Sequence, residues 1–437
     1  MVWGEAPHWV VVDGEALSLI RSSDGIKDLP TISSEIAEET GRPRGEVLSE
    51  ARSVIRQLER AGVAYKKAPR GRRPSRRPLI ENVTINVTQR CNLRCAHCFL
   101  DGGTKVEESL DIRDLARFLE QGRKYIAKNV NFAILGGEPL MAKEKTLAVA
   151  EMANRWGGEA TVSTNGHLID PAFARRAKDL GLLVQVSLEG STPEVNDPIR
   201  GKGSFHRAIE GVKVLVECET HSILSMVVQE GNFDDIESFY DLSMDMGTDE
   251  VRFIPLNMMG RARDTGLRTV SNRLLVRRLG QLMQDRPEAK ERMTRDYFTI
   301  LMSVCSLSNR RPYCGTGLKT MLVDADGEVY PCPNHQFSEF RCGNIRDSSF
   351  KEIWLGSPVL KMVRSTYDLE AINEECSACA FRHWCMGGCR GETYENTRDM
   401  SATSVRCDDL REAVIEMMWI LGSMDPSAAV TEKTEYF

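Results

Sequence analysis

The sequence predicts an α/β fold in which a parallel sheet carries the functional site, with a small helical domain before it and a cysteine-rich domain after it. The 437 residues are enough for about three domains at roughly 150 residues each. Apolar strand-like runs alternate with helix-like stretches over residues 82–262, a pattern typical of parallel sheets. Cysteines then recur over residues 314–407.

Composition and charge exclude several classes of protein. Hydrophobic residues make up 41%, charged residues 27% and aromatic residues 7%, which argues against a disordered or collagen-like chain. There is no run of about 18 apolar residues, so no transmembrane helix is expected. The first residues lack the layout of a secretory signal, and we expect a cytoplasmic protein. The net charge of -6 gives no general attraction to nucleic acid or to an anionic membrane.

The first predicted domain covers residues 1–65. His8–Ile20 is typical of a short strand, a turn and the start of a helix, and Thr31–Gly41 of a helix that its glycine ends. The sequence SSE in this second helix offers an N-cap. A third helix is predicted over Gly45–Tyr65, where apolar residues recur at helical spacing.

A basic linker is predicted next, over residues 66–81. Its first twelve residues, KKAPRGRRPSRR, contain seven Lys or Arg residues. The two prolines and the glycine in this run oppose a stable helix. A solvated linker between domains is the interpretation that we favour, and binding of a polyanion is the alternative.

Three closely spaced cysteines follow a β-rich run. Cys91, Cys95 and Cys98 have the spacing C-x3-C-x2-C after VTINVTQR, residues 83–90, which is predicted to be the first strand of the sheet. A cytoplasmic protein does not normally pair such cysteines as disulfides. Iron-sulfur cubanes usually take four thiolates, so three leave one iron open to a ligand that is not protein. Zinc would need a fourth ligand, and His97 lies where its side chain would diverge from the thiols.

This motif resembles the signature of the radical S-adenosylmethionine (radical SAM) enzymes, in which an aromatic residue precedes or follows the last cysteine. Phe99 takes that place here. The resemblance implies a catalytic 4Fe-4S cluster on Cys91, Cys95 and Cys98 that binds S-adenosylmethionine and cleaves it to a 5′-deoxyadenosyl radical. It also implies a partial (β/α) barrel of TIM type, with its site at the C-terminal ends of the strands.

Four further segments, each after an apolar run, resemble cofactor-binding parts of this family. In FAILGGEPL the resemblance places the methionine amino group at GGEP, and in TVSTNGHL it places the ribose. In LVQVSLEGSTPEVNDPIRGKGSF the arginine would pair with the cofactor carboxylate, and VRFIPLNMMGRA would contact adenine. The expected contacts are Phe99, Gly136, Gly137, Glu138, Pro139, Ser163, Asn165, Ser187, Glu189, Arg200, Ile254 and Leu256.

The later cysteines resemble the SPASM extension of radical SAM enzymes. Their order is a cysteine, twelve residues, Gly327, four residues and a cysteine, then C-x2-C-x5-C-x3-C and seventeen residues to the last cysteine. The resemblance implies two auxiliary 4Fe-4S clusters, and so three clusters in all. One auxiliary set would be Cys376, Cys379, Cys385 and Cys407, and the other would be Cys314, Cys332 and Cys389.

The second auxiliary set lacks a fourth cysteine in the motif. Cys305 and Cys342 are both candidates, each could instead be a free thiol, and some relatives leave the iron open for substrate. We place the SPASM domain at residues 305–410, a bridging helical region at 263–304 before it, and a helix and tail at 411–437 after it. Two neighbouring histidines, His335 and His383, are expected to pack or to hydrogen-bond beside the clusters.

The first domain resembles the winged-helix leader-binding (PqqD-like) domain that is fused to many ribosomal-peptide maturases. Such a domain would bind the leader of a precursor peptide by strand addition to its sheet edge. A helix-turn-helix that binds DNA is the alternative, and the acidic net charge makes nucleic acid an unlikely partner.

The family resemblance therefore predicts a radical SAM peptide maturase that forms a thioether crosslink on a precursor peptide, with flavodoxin or ferredoxin as electron donor. Carbon-carbon and carbon-oxygen crosslinks are close alternatives. Three other classes stay open: an anaerobic maturase of the sulfatase type, a small-molecule enzyme of the tetrapyrrole type, and a cluster-bearing carrier without catalysis. The complete GGEP and STNG segments argue against the carrier.

Overall fold

The computed structural model describes residues 11–23, 25–60, 79–100, 102–103, 109–293, 314–366 and 373–424. Within these ranges the strands are β1 (Ile80–Asn86), β2 (Ile126–Leu135), β3 (Glu159–Thr164), β4 (Leu183–Ser187), β5 (Ser222–Val228), β6 (Glu250–Pro255), β7 (Thr320–Val323), β8 (Glu328–Tyr330) and β9 (Gly343–Asn344). The helices are α1 (Gly14–Ser22), α2 (Leu29–Thr40), α3 (Arg44–Arg60), α4 (Ile112–Gln121), α5 (Lys143–Trp156), α6 (Pro171–Asp179), α7 (Pro193–Arg200), α8 (Ser204–Glu217), α9 (Ile236–Met246), α10 (Asn272–Asp285), α11 (Glu288–Arg292), α12 (Pro358–Ser365), α13 (Glu374–Ala378), α14 (Arg382–Cys385), α15 (Arg390–Thr397) and α16 (Cys407–Met424).

The three N-terminal helices are present, but the predicted cap of α2 is wrong. Asp28 caps this helix, because its side chain accepts a hydrogen bond from Thr31 N at 2.9 Å. The hydroxyls of Ser33 and Ser34 lie inside the helix and donate back to its own carbonyls. Gly41 ends the helix in the left-handed region, with a φ of 68°. The predicted strand lies mostly outside the described residues, and the basic run lies wholly outside them.

The sheet follows the predicted α/β pattern. Strands β1 to β6 are all parallel, and each pairs with the next one along the chain. Helices connect successive strands. Because the strands are parallel, their C-terminal ends meet at one edge of the sheet, as in a barrel. Strand β5 was not named from the sequence, although its residues SILSMVV are mostly apolar, as is typical of a buried parallel strand.

The barrel is closed only partway. The sheet order is β6-β5-β4-β3-β2-β1-β7-β8-β9, so β7 of the C-terminal domain takes the place beside β1. The turn after β7 also joins the two parts, because Asp324 accepts a hydrogen bond from Asn86 Nδ2 at 2.9 Å and contacts Gln89. The cysteine-rich domain is thus continuous with the barrel sheet.

One helix is shorter than its sequence pattern indicates. The helix-like stretch DLARFLEQGRKYIAKN is α-helical only as far as Gln121; a 3₁₀ turn spans Arg123–Tyr125, and β2 begins at Ile126. Gly122 lies in van der Waals contact with Phe350, whose ring would be 2.3 Å from a Cβ at this position. Packing by the C-terminal domain therefore fixes the point at which the chain turns into the strand.

The bridging and C-terminal helices pack together against the barrel. Asp409 accepts a hydrogen bond from Asn272 N at 3.0 Å, and Arg277 pairs with Glu416 at 3.0 Å. The last helix begins at Cys407, four residues before the predicted boundary. No helix in the described ranges is long and apolar enough to cross a membrane.

Candidate active site

The cysteine loop starts directly after β1 and is held against the end of β2. Gly137 N donates to Thr88 O at 2.8 Å, and Glu138 N donates to Arg90 O at 2.7 Å. A Cβ on Gly136 would lie 2.3 Å from Thr88 O, and one on Gly137 would lie 2.1 Å from Arg90 O. Glycine permits this close approach of two backbones. The GGE segment therefore fixes the path of the chain into the first cysteine.

Arg261 binds the backbone of the same loop. Its N donates to Cys98 O at 3.0 Å, its Nε to Cys95 O at 3.1 Å and its Nη1 to Gly102 O at 3.1 Å. Gly260, with a φ of 55°, allows this approach, since a Cβ there would be 2.6 Å from Cys98 O. The fork of donors on the guanidinium makes the two side-chain contacts feasible, and the backbone N–H supplies the third.

A buried ion pair lies beside the loop. Arg200 donates to Glu189 Oε1 from Nε and Nη2 at 3.0 and 2.6 Å, and its Nη1 is 3.9 Å from Cys95 Sγ. Burial lowers the pKa of His97, whose Nε2 lies 3.2 Å from the same carboxylate oxygen. Val227 N donates to Oε2 at 2.8 Å. Glu189, which was expected to face the cofactor, is instead 0% exposed and paired within the protein.

Glu138 joins the ends of β2 and β3. Its Oε1 accepts from Leu140 N at 3.0 Å and from Thr164 Oγ1 at 2.6 Å, and its Oε2 accepts from Asn165 N at 2.8 Å. Burial raises the pKa of this carboxyl in spite of these donors. Asn165 Nδ2 in turn donates to Asn92 Oδ1 at 2.8 Å, so a side chain expected at the ribose also holds the cysteine loop.

These elements surround a cavity of about 530 Å³. Its floor lies inside the barrel, and its rim is formed by the cysteine loop and the strand ends. The predicted site residues that line it are Cys91, Cys95, Cys98, Phe99, Gly136, Gly137, Glu138, Ser163, Asn165, Ser187, Arg200, Ile254 and Leu256. Pro139 is buried behind the lining, where its carbonyl accepts a hydrogen bond from Thr146.

The opposite wall of the cavity belongs to the C-terminal domain. Cys389, Asn334, Glu392 and Arg406 line it. Arg406 Nε lies 3.0 Å from Glu392 Oε1, and its Nη2 donates to Leu256 O, just after β6, at 2.9 Å. Burial raises the pKa of Glu392, and the charge of Arg406 opposes this rise. An ion pair on the cavity wall therefore joins the C-terminal domain to the end of the barrel.

The C-terminal cysteines form two groups, in each of which a negative charge on one cysteine raises the pKa of a neighbouring cysteine. One group is Cys376, Cys379, Cys385 and Cys407. The other, the cavity-side group, is Cys314, Cys332 and Cys389. These are the two sets named from the motif, and their roles as iron ligands stay predictions.

Cys342 lies apart from the cavity-side group. Its thiol donates to Phe340 O at 3.4 Å, and burial raises its pKa to about 12. The charges that act on it come from Arg364 and Glu328 rather than from the other cysteines. The structure therefore gives no support to Cys342 as a fourth ligand, and Cys305 lies outside the described residues.

Two parts of the chain match known protein families. Residues 85–243 match the radical SAM superfamily, and residues 314–380 match SPASM, an iron-sulfur cluster-binding domain. The mycofactocin maturase MftC of Mycobacterium ulcerans (strain Agy99) is 30% identical over 320 residues, which are 71% of this chain and 83% of that protein. The chain belongs to the radical SAM superfamily. Its C-terminal part contains a SPASM domain.

Other members of this superfamily are similar over comparable lengths. The AdoMet-dependent heme synthase of Methanosarcina barkeri (strain Fusaro / DSM 804) is 24% identical over 333 residues, 72% of this chain and 93% of that protein. The structure of anSMEcpe with AdoMet and the Cp18Cys peptide has a TM-score of 0.62 at 18% identity, over 79% and 99% of the two chains. SuiB of Streptococcus suis with S-adenosylmethionine has a TM-score of 0.60 at 17% identity, over 91% and 93%. These two structures confirm the predicted barrel and SPASM fold.

The residues of the loop fit an iron-sulfur cluster. Burial raises the pKa of Cys91 to about 11, so this thiol needs a bound metal to ionise near neutral pH. In the part of the chain that the structure describes, no three His, Cys, Asp or Glu side chains could hold a single metal ion. A cluster instead spreads its thiolates over several irons. Arg200, beside Cys95, offsets the negative charge that such a cluster brings.

Several site residues were missed from the sequence. They are Arg261, Glu392 and Arg406. All three line the cavity, and Arg261 also donates to the backbone of the cysteine loop. The glycine before Arg261, inside the adenine-contacting segment, was a usable signal, since glycine permits a close backbone approach. No local pattern marks Glu392 and Arg406, which meet only through the folding of the SPASM domain.

Proposed function

We propose that this radical SAM enzyme modifies a ribosomally made precursor peptide, and that its product is a thioether crosslink between a cysteine sulfur and a peptide carbon. The observation that carries the proposal is the shared cavity. The cysteine loop forms one wall, and Cys389 of the cavity-side group forms the other. A peptide held between them contacts both walls at once.

The proposed ligands of the catalytic cluster are Cys91, Cys95 and Cys98, and those of the auxiliary clusters are the two C-terminal groups. S-adenosylmethionine, cleaved reductively at the catalytic cluster, supplies the radical that removes a hydrogen atom from the peptide. The protein contributes position and electrostatics. Flavodoxin or ferredoxin is the proposed electron donor.

The chain's own residues hold this arrangement rigid. Gly136 and Gly137 fix the entry of the loop, and Arg261 fixes its exit. Arg200 places a positive charge between the loop and the buried Glu189. We assign the polar side chains Ser163 and Ser187, which line the cavity, to the cofactor.

Two similarities favour a peptide as the substrate. The relative that is 30% identical is named a maturase, and solved structures of similar fold are described with a bound peptide, Cp18Cys in anSMEcpe and SuiA in SuiB. The SuiB similarity covers 91% of this chain, so it includes part of the region before residue 79. We propose that this region, with helices α1 to α3, binds the leader of the peptide.

The thioether is proposed because the cavity-side group supplies three cysteines, one fewer than a cubane usually takes. A cysteine of the peptide would then be the fourth ligand and would be held beside the radical. Cys305 is the competing ligand. Carbon-carbon and carbon-oxygen crosslinks are the nearest alternatives, followed by modification of a folded protein and, given the heme synthase among the relatives, chemistry on a tetrapyrrole.

The decisive experiment follows deoxyadenosine and peptide mass together under anaerobic conditions. The reconstituted enzyme is incubated with S-adenosylmethionine, reductant and a short peptide encoded beside its gene. Loss of two hydrogens, matched to deoxyadenosine, is expected. A peptide with its cysteines replaced by alanine should lose no hydrogens if the product is a thioether, whereas continued loss would indicate a carbon-carbon or carbon-oxygen bond.

Two controls separate the parts of the proposal. Reconstituted enzyme should contain about twelve irons for three 4Fe-4S clusters, and replacement of the three loop cysteines by alanine should remove about four irons and all deoxyadenosine. Deletion of residues 1–78 should spare uncoupled cleavage and reduce peptide modification. Undiminished modification would show that another part of the chain binds the leader, and modification of a tetrapyrrole would replace the peptide proposal.

A further inference from the structure

Each thiol of the cavity-side group has its own polar side-chain partner. Thr316 Oγ1 lies 3.2 Å from Cys314 Sγ. The amide Nδ2 of Asn334 donates to Cys389 Sγ at 3.1 Å. The third contact joins His335 Nδ1 to Cys332 Sγ at 3.0 Å. Three different residues thus converge on three different sulfurs.

The direction of the histidine contact follows from its surroundings. His335 is 0% exposed, so solvent does not compete for its ring nitrogens. Its two nitrogens face Cys332 Sγ and, at 3.2 Å, Met400 Sδ. An iron-bound thiolate accepts a hydrogen bond better than a thioether does, because it carries charge. The proton therefore belongs on Nδ1, which donates to the cysteine.

The other two contacts also supply donors. An asparagine Nδ2 can only donate, and the hydroxyl of Thr316 donates once the facing thiol is ionised by iron. The backbone holds Asn334 in place, since a Cβ on Gly391 would lie 2.1 Å from Asn334 O. Backbone N of Glu392 adds a contact to Cys389 Sγ at 3.5 Å. The group is therefore surrounded by donors that are fixed before a cluster binds.

We propose that Thr316, Asn334 and His335 form a hydrogen-bonding shell that raises the reduction potential of the auxiliary cluster at the cavity. The inference rests on the proposed function, in that these three cysteines bind a 4Fe-4S cluster. A reduced cluster carries one more negative charge than an oxidised one. Donors at the sulfurs stabilise that extra charge, so the reduced state is favoured and the potential rises.

The position of the shell gives it a role. Asn334 and Cys389 both line the cavity, so the tuned cluster would be the auxiliary one that meets the substrate. A higher potential makes it a better one-electron acceptor than it would be without the donors. The three residues are tuning residues, since they act through the cysteines and His335 lies wholly below the surface.

The test is a redox titration followed by electron paramagnetic resonance on the reconstituted full-length enzyme, without peptide. Thr316→Val, Asn334→Leu and His335→Phe each remove one donor, and each should shift one of the auxiliary midpoint potentials to a more negative value. Asn334→Asp should shift it further, because it adds a negative charge beside the sulfur. His335→Gln, which restores an N–H donor, should recover part of the His335→Phe shift.

Matched controls make the result specific. Thr397→Val alters a hydroxyl that donates to Thr393 O rather than to a sulfur, and it should leave the midpoint potentials of all three clusters unchanged. The shell variants should leave the potentials of the other two clusters unchanged. Unchanged midpoints in Thr316→Val, Asn334→Leu and Asn334→Asp, with iron content retained, would overturn the shell. Iron content that stays unchanged when Cys314, Cys332 and Cys389 are replaced by alanine would instead refute the cavity-side cluster, and with it this part of the proposed function.

Discussion

Arg200 directs two of its nitrogens, Nε and Nη2, at a single oxygen of Glu189, at 3.0 and 2.6 Å. Both side chains are buried, since 8% of the Arg200 side-chain surface and 1% of the Glu189 side-chain surface are exposed. The remaining nitrogen, Nη1, points toward Cys95. Glu189 therefore decides where the charge of Arg200 lies, and an arginine expected to contact the cofactor depends on a carboxylate that does not reach the cavity.

We expect Glu189→Gln to destabilise the enzyme and to slow cofactor cleavage. Removing one charge of a buried pair typically costs about 3–5 kcal/mol, because the other charge stays buried without compensation. The midpoint of thermal unfolding and the rate of deoxyadenosine formation measure the two effects. Glu194→Gln is the matched control, at an exposed position of helix α7, which ends at Arg200. It should change neither the unfolding midpoint nor the rate of deoxyadenosine formation. Equal behaviour of the two variants would show that the pair does not position Arg200.

A second prediction concerns the glycines that bring β2 against the cysteine loop. Gly137→Ala should prevent normal assembly of the catalytic cluster, because its methyl group would lie 2.1 Å from Arg90 O and backbone atoms cannot move aside cheaply. We expect a loss of about four irons per chain and of deoxyadenosine formation. Gly45→Ala, on α3 with open space around its Cβ position, is the control. Full iron content in Gly137→Ala would contradict the close packing.

The sequence carries the order of the barrel strands and the places where loops bear chemistry, because both depend on local patterns. Apolar runs, the paired glycines after β2 and the cysteine spacings can all be read without knowledge of distant contacts. The direction of Glu189 could not be read in this way, since its expected place at the cofactor came from the family resemblance. A residue beyond the end of a strand no longer follows the alternation that assigns faces, so its direction depends on Arg200 and His97.

Contacts between domains could not be predicted from the sequence either. The end of α4 depends on Phe350, more than two hundred residues away, and the cavity wall depends on Arg406 meeting Glu392. Cys342 was a reasonable ligand candidate on spacing alone. Only the fold shows that its thiol lies among core residues rather than beside Cys332.

A third prediction tests the ion pair on the cavity wall. Arg406→Lys keeps the charge but cannot reach both Glu392 Oε1 and Leu256 O, because lysine lacks the fork of a guanidinium. We expect a rise in the KM for peptide and a fall in coupled turnover, with uncoupled cleavage reduced much less. Arg411→Lys is the control, since Arg411 forms an exposed pair with Asp408 nearby. A fall of uncoupled and coupled rates by the same factor would show that the pair serves the cofactor rather than the peptide.

The last prediction uses the pH dependence that Glu138 gives to stability. Burial raises the pKa of Glu138 above its ordinary value of 4.5 in the folded enzyme. A carboxyl with a raised folded pKa contributes stability that is complete below the unfolded pKa and is lost as the pH rises through the folded pKa. The loss should therefore begin above about pH 4.5 and level off once the buried group is ionised.

Glu138→Gln removes this titration while it keeps a carbonyl oxygen that can accept from Thr164 and Leu140. We expect the stability of the unaltered enzyme relative to this variant to decrease as the pH rises above about 4.5, as thermal unfolding midpoints at each pH would show. Glu144→Gln, at an exposed position in α5, should track the unaltered enzyme throughout. A relative stability that instead increases with pH would mean that the three donors to Glu138 outweigh its burial.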